Sequence, residues 1–316
     1  MRIRLLALAV CLAAGVFLAS PTASRSERGG NAVTAWNANA GEAVIAACLL
    51  GGFAPQEARM YAMMHVAVHD ALSGIDRRSR PYAVSLSATP GTSPDAAVAA
   101  AARDVLVTVL GSFSFFLPAA CISDGIASVE ADYAAALGAI PNGPAKTQGV
   151  ALGQAAAAAI LALRSEDGFN TPPIDPNYQE GTAPGEYRYT PGTPFAFAPH
   201  WGDVTPFVLH HGSQFRPGPP YSLTSHKYAA DLNEVQRLGG DDVTTPSART
   251  DEQTEIDLFW VESSPLAWNL LTRAVATAEE LDLWESARLF GLLNLAMADG
   301  YIGSFDTKYH YRFWRP

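Results

Sequence analysis

The chain has 316 residues, 48% of them hydrophobic and 16% charged, and a formal net charge of −10. It is long enough to bury a sizeable core and too weakly charged for a disordered polymer. The acidic balance argues against a phosphate-backbone binder, which needs clustered Lys and Arg, so no nucleic acid partner is expected. The 26 Gly and 22 Pro follow no fixed period, which excludes collagen-like and simple repeat architectures.

Arg2 and Arg4 precede an uninterrupted apolar run from Leu5 to Ala19, and small residues follow at Ser20, Thr22, Ala23 and Ser24. A positive start, a short apolar stretch and a small-residue exit are the parts of an export signal, so residues 1–24 are expected to be a signal peptide. The mature chain is then expected to be secreted or periplasmic, and no later stretch reads as a membrane span. Cys11 lies in the signal. Cys48 and Cys121 remain, and their apolar surroundings suit one disulfide or two buried thiols.

From there the pattern is helical. Pro55 opens a segment to about Ser73 whose stripe of Met60, Met63, Met64, Ala67, Val68 and Ala71 has helical spacing. Ser93 and Pro94 read as an N-cap with Pro in the first turn, starting a helix over Asp95–Leu110. Pro144 opens another to about Arg164. There Gly149, Gly153 and Ala157 recur every four residues, a small-residue stripe that predicts close approach of a neighbouring helix.

Residues 166–222 hold eleven of the 22 prolines, and regular helix is excluded over most of them. Interleaved aromatics, including Tyr178, Tyr187, Tyr189, Phe197, Trp201 and Phe207, argue against a flexible linker. The segment is expected to be an irregular arm packed over helices. Helix punctuation then returns: Ser225 to Leu238, a capping box from Thr250 and Gln253, a start at Ser264-Pro265 running to about Glu280, and a second box from Asp282 and Glu285. The last of these, Leu283–Ile302, is apolar nearly all round and predicts a central helix. No run alternates over more than a few residues. The expected fold is all-α: an N-terminal bundle over 25–165, a connecting arm over 166–222 and the start of a second helical domain over 223–316.

The last nine residues carry the chemistry. Lys308 and Arg315 stand seven apart, followed by Pro316. If the stretch is helical, both cations fall on one face, about 10 Å apart along the axis. An ammonium and a guanidinium so placed can close on one tetrahedral oxyanion. Tyr309, Tyr311, Phe313 and Trp314 can exclude water around it, and Phe305, one turn before Lys308, is a candidate pocket wall. Asp299 and Asp306 are candidates to orient Lys308 or Arg315. His65 and His69 lie four apart on a helix beside Asp70, a spacing two metal ligands can use. Their Met and Val neighbours favour hydrogen-bonded core histidines. His210 and His211 read as a surface pair, and His310 as pointing off the cationic face.

With these residues in hand, the sequence resembles the vanadium-dependent haloperoxidases and the acid phosphatases of the type 2 phosphatidic-acid phosphatase superfamily. Lys308, Arg315 and Pro316 match that family's Lys-x6-Arg-Pro signature. The resemblance extends upstream to secreted bacterial haloperoxidase-like proteins, through Arg59–Ala71, Arg164–Gly168, Trp201–Phe207, Asn233–Val235, Arg249–Gln253 and Ala287–Asp299. It implies that Lys308 and Arg315 bind vanadate, or phosphate in the phosphatases. The small-molecule substrates it implies are hydrogen peroxide and halide, or a phosphoester. A homo-oligomer is left open.

The sequence also departs from the family. Pro-Ser-Gly-His, the family's second signature, occurs nowhere in the chain, and the third, Ser-Arg followed by a spaced His, does not follow Lys308 and Arg315. The histidines that would ligate the metal or act as acid and base are therefore missing. The expectation is a truncated chain that binds vanadate weakly and is inactive alone. A remnant acting only through protein contacts is the non-enzymatic alternative.

Overall fold

The computed structural model describes residues 30–50, 52–241, 243–261 and 263–315. The expected signal peptide and Pro316 lie outside them. The described residues form nine α-helices: α1 Ala32–Ala46, α2 Ala54–Ile75, α3 Pro94–Ser112, α4 Ala119–Ala139, α5 Pro144–Leu163, α6 His226–Leu238, α7 Asp251–Trp260, α8 Ser264–Ala278 and α9 Leu283–Tyr311. The fold is all-α. Its only named strands among these residues, β1 Ile174–Asp175 and β2 Ala196–Phe197, pair antiparallel within the arm.

The helix starts follow from their caps. The Ser93 side chain accepts the Ala96 N–H, and capping boxes close the starts of α7 (Thr250 with Gln253) and α9 (Asp282 with Glu285). The small-residue stripe of α5 packs on α3 as its spacing predicts. A Cβ added at Gly153 would stand 2.3 Å from the Ala97 carbonyl oxygen, so no larger residue fits without separating the two helices.

The central helix is α2, not α9. Both its expected stripe and its opposite side, including Ala62, His65, Val66 and Asp70, are buried, because α3, α5, α8 and α9 enclose it. α9 lays Ala287, Phe290, Asn294 and Ala298 toward this packing and leaves Leu292, Ala296 and Gly300 exposed. Large apolar side chains are exposed on Leu258, Phe259 and Trp260 of α7, on Trp268, Leu270 and Leu271 of α8 and on Leu292 of α9. Ala276, Ala287, Phe290 and Ala298 share one core with α1–α5, so the second half is continuous with the first.

One stretch, Pro94–Phe115, is long and apolar enough to cross a membrane, contrary to the expectation that none would be. About 67% of its most apolar window is buried inside the protein, as in the core helix of a bundle. Cys48 and Cys121 form a disulfide with a Cα separation of 5.6 Å, tying the end of α1 to the start of α4.

The arm is irregular but anchored. Arg59 and Arg164 each donate from Nε to Oδ2 of Asp167 at 2.8 Å. Their guanidinium carbons stack 3.9 Å from the ring centres of Phe169 and Phe207. Arg164 also donates to the carbonyls of Thr205 and Pro206. Asp299 on α9 accepts the N–H groups of Phe207, Val208 and Leu209. At Gly202 the arm touches the α9 backbone: a Cβ there would lie 2.6 Å from Cα of Asp306. Arg59, Arg164, Asp167, Phe207 and Asp299, which lie in upstream stretches that carry the family resemblance, thus hold the arm on the bundle.

Candidate oxyanion site

The site forms where α9 ends. The helix runs on to Tyr311, nine residues past the expected limit at Ile302, and stops because Arg312 adopts a left-handed conformation (φ 47°) while its N–H still bonds the Lys308 carbonyl. The chain then leaves as an extended segment. Phe313 bridges Glu186 of the arm, the Arg312 carbonyl accepts the Tyr187 N–H at 2.6 Å, and the Trp314 N–H donates to the Gly185 carbonyl at 3.0 Å. Trp314 Nε1 also donates to the Tyr228 hydroxyl at 3.0 Å, fixing the tail against α6.

This corrects the helical argument for Lys308 and Arg315. Lys308 is on the last turns of α9, whereas Arg315 is on the extended tail, so a shared helix face does not bring them together. Pairing of the tail with residues 185–187 sets where Arg315 stands instead. Arg315 stands at the arm, its Nη1 3.4 Å from the Thr190 hydroxyl, and is exposed.

Lys308 is half-buried. Its Nζ lies 5.1 Å from the Phe305 ring centre and 5.0 Å from that of Tyr309, and it has no hydrogen-bond acceptor or ion-pair partner among the described residues. Burial first, and the charge of Arg315 second, push its pKa down to about 8. The second cause places the two cations within electrostatic reach of each other. Nearby carboxylates do not neutralise them. Glu186 accepts the N–H groups of Thr182 and Ala183 at 2.8 Å, which holds its pKa down, and Glu180 accepts the Tyr189 N–H. Two like charges, one of them partly desolvated and unpaired, suit an anion bound between them.

The aromatic wall comes from both segments. Phe305 meets Phe197, and Tyr309 meets Tyr178 and Tyr187 at ring-centre distances of 5.3 and 6.3 Å. The Tyr309 hydroxyl donates to the Phe197 carbonyl, and burial raises its pKa well above the usual phenol range. Tyr178, Tyr187 and Thr190 were not singled out as site residues from sequence. The interleaved aromatics of the arm were the available signal, but nothing in their spacing ties them to Lys308.

Other candidates take structural roles. Asp299 clasps the arm, and Asp306 forms a two-point pair with Arg216 at 2.8 Å, so neither orients Lys308 or Arg315. His65 is fully buried, with Nε2 2.8 Å from Asn37 Nδ2, its ring stacked on Phe290, and its pKa pushed down to about 3 by burial and by Arg273. His69 bonds Asp70 and Ser79. The two histidines therefore have separate hydrogen-bond partners rather than a common ligand. His210, His211 and His310 are exposed.

No family model matches the chain. It is 28% identical to the vanadium chloroperoxidase of Curvularia inaequalis over 166 residues, 46% of this chain and 26% of that protein, so it spans about a quarter of that relative's length. Its fold matches the crystal structure of the first bacterial vanadium-dependent iodoperoxidase with a TM-score of 0.70 at 19% identity, covering 90% of this chain and 70% of that one. The chain is thus similar in sequence to a vanadium chloroperoxidase over part of its length and shares the all-α fold of a vanadium-dependent iodoperoxidase.

Proposed function

We propose that Lys308 and Arg315 hold vanadate and that the chemistry served is oxidation of a halide by hydrogen peroxide. The observation that carries this reading is the unpartnered Lys308 ammonium held within electrostatic reach of Arg315. Lys308 contributes a compact charge and Arg315 a planar fork of donors to one set of oxygens. Phe305 and Tyr309 lower the local dielectric and strengthen both contacts. Because the helix end and the paired tail fix the two cations before an anion arrives, little reorganisation opposes binding. Vanadate, when bound, supplies the Lewis-acid centre at which peroxide becomes a two-electron oxidant of halide.

These 316 residues contain no Pro-Ser-Gly-His, and the neighbouring Arg312 is engaged with the Tyr178 ring and the Gln179 carbonyl, which leaves Lys308 and Arg315 for the anion. The chain by itself is therefore proposed to bind vanadate weakly and to lack turnover, with proton transfer and further anion contacts supplied by residues it does not contain. As a secreted or periplasmic protein it would work outside the cytoplasm.

Vanadium-51 NMR of orthovanadate tests the binding step. The expected result is a broadened or shifted resonance with the wild type that is lost in Lys308→Gln and Arg315→Gln. An unchanged resonance with folded wild type would overturn the site assignment. Bromide-dependent oxidation of a phenol probe by peroxide should stay at the level of free vanadate. Hydrolysis of a phosphoester without vanadate would favour phosphatase chemistry instead.

A further inference from the structure

A second cleft lies on the outer side of α9, away from Lys308. It opens between that helix and the loop joining α2 to α3, and its volume is about 480 Å³. Val66, Tyr82, Leu292 and Leu295 form its apolar walls, and Arg80 and Arg288 stand on its rim. Leu292 and Leu295 also border a larger apolar groove of about 790 Å³ that continues along α9 past Gly300. Neither Lys308 nor Arg315 lines either cavity.

The two rim arginines differ from those around them. Arg59 and Arg164 share Asp167, Arg78 pairs with Asp76 and Asp282, Arg103 with Asp104 and Glu130, and Arg216 with Asp306. Arg80 and Arg288 have no hydrogen-bond, ion-pair or ring partner among the described residues. In a chain with 31 acidic residues and a net charge of −10, the cleft is a local reversal of sign with no carboxylate in ion-pair reach.

Arg80 is also held in place. Asp70 accepts the N–H groups of Tyr82, Ala83 and Val84 at 2.7, 2.6 and 3.0 Å, and the Ser79 hydroxyl meets His69 Nε2 at 2.7 Å. The loop is thus pinned on both sides of Arg80, which lowers the ordering needed on binding. Arg288 projects from the rigid body of α9.

We propose that this cleft binds a free organic anion with an apolar body, of the class of medium-chain alkyl carboxylates. Its carboxylate is held between Arg80 and Arg288, and its chain lies on Leu292 and Leu295. Charge selects the head, since two forked guanidiniums match a carboxylate. Apolar area selects the tail, since burial of each methylene adds to affinity.

Octanoate is the probe, titrated by calorimetry, with octanamide as its uncharged counterpart. The expected result is one octanoate site, with binding about tenfold weaker in each of Arg80→Gln and Arg288→Gln and at least as much weaker for octanamide. Both substitutions are at exposed positions, and unchanged melting curves show that the fold is retained. Equal binding of octanoate and octanamide would overturn the proposal by reducing the cleft to an apolar surface. So would absent octanoate binding, displacement by orthovanadate, or binding to anionic lipid vesicles without binding of free octanoate. Failure of the vanadate experiment leaves this result unaffected, because the two sites share no residue.

Discussion

Asp299 on α9 and Phe207 in the arm meet at 2.6 Å, carboxylate to backbone N–H, and the same carboxylate takes the next two N–H groups, of Val208 and Leu209, at 2.8 and 2.9 Å. A buried carboxylate holding three consecutive N–H groups fixes a segment with no regular structure of its own. It also sets where the arm crosses α9, and so where residues 185–190 meet the tail that carries Arg315.

The first prediction follows from that clasp. Asp299→Ala leaves three backbone donors without an acceptor and should destabilise the protein by roughly 3 kcal/mol. Asp299→Asn keeps one acceptor oxygen and should lose about half as much. Urea denaturation gives both values, and limited proteolysis should show faster cleavage within residues 166–222. A wild-type midpoint for Asp299→Ala would mean that the clasp does not hold the arm.

Much of this architecture was legible in the sequence because its signals are local. Ser93, Thr250 with Gln253, and Asp282 with Glu285 marked helix starts through side-chain to backbone bonds that need only the next few residues. Gly149 and Gly153 announced a close helix contact through what they lack. α1 was missed although Asn31 and Thr34 form a capping box, because the segment follows the signal run and carries little amphipathic pattern. α4 was missed because Pro118 precedes it with no capping side chain. The error at Lys308 and Arg315 has a different origin. A left-handed Arg312 is not encoded by residue type, since glycine is the usual signal there. The pairing of the tail with residues 185–187 is a contact across more than a hundred positions. For the same reason the partners of Asp299 and Asp306 lay beyond local reasoning.

A second prediction concerns Glu57 on α2. It is buried, accepts a hydrogen bond from Ser263 at 2.6 Å, and burial raises its pKa from 4.5 to about 7, although the Ser263 bond pulls the other way. Tyr61 on α2 and Tyr301 on α9 lie near it, and the Tyr61 hydroxyl is unpartnered among the described residues. A carboxyl whose pKa is higher in the folded state contributes stability below its unfolded value and loses it as pH rises to the folded value. Wild type should therefore lose about 3 kcal/mol between roughly pH 4.5 and 7 relative to Glu57→Gln. Parallel stability profiles for the two proteins would contradict a protonated Glu57.

The Cys48–Cys121 disulfide gives a third. It closes a loop of 73 positions, and restricting that loop in the unfolded chain stabilises the fold by up to about 4 kcal/mol. The double variant Cys48→Ala, Cys121→Ala should unfold at lower denaturant by a corresponding amount. Thiol titration of the denatured chain lacking residues 1–24 should find no free thiol before reduction. Reactive thiols at that stage would show the bond to be absent.

The fourth prediction addresses the charge on Lys308 itself. Its pKa is pushed down to about 8, so the free ammonium is lost as pH rises through that value. A bound anion favours the charged form and raises the pKa, and by linkage anion affinity must fall above about pH 8 by up to tenfold per pH unit. Sulfate is the suitable probe because its own charge is constant over this range. Lys308→Arg keeps its charge and should bind sulfate with a flat profile to about pH 10, while Lys308→Gln should bind weakly at every pH. Superimposable profiles for wild type and Lys308→Arg would show that the titrating ammonium does not contact the anion, leaving Arg315 without its partner.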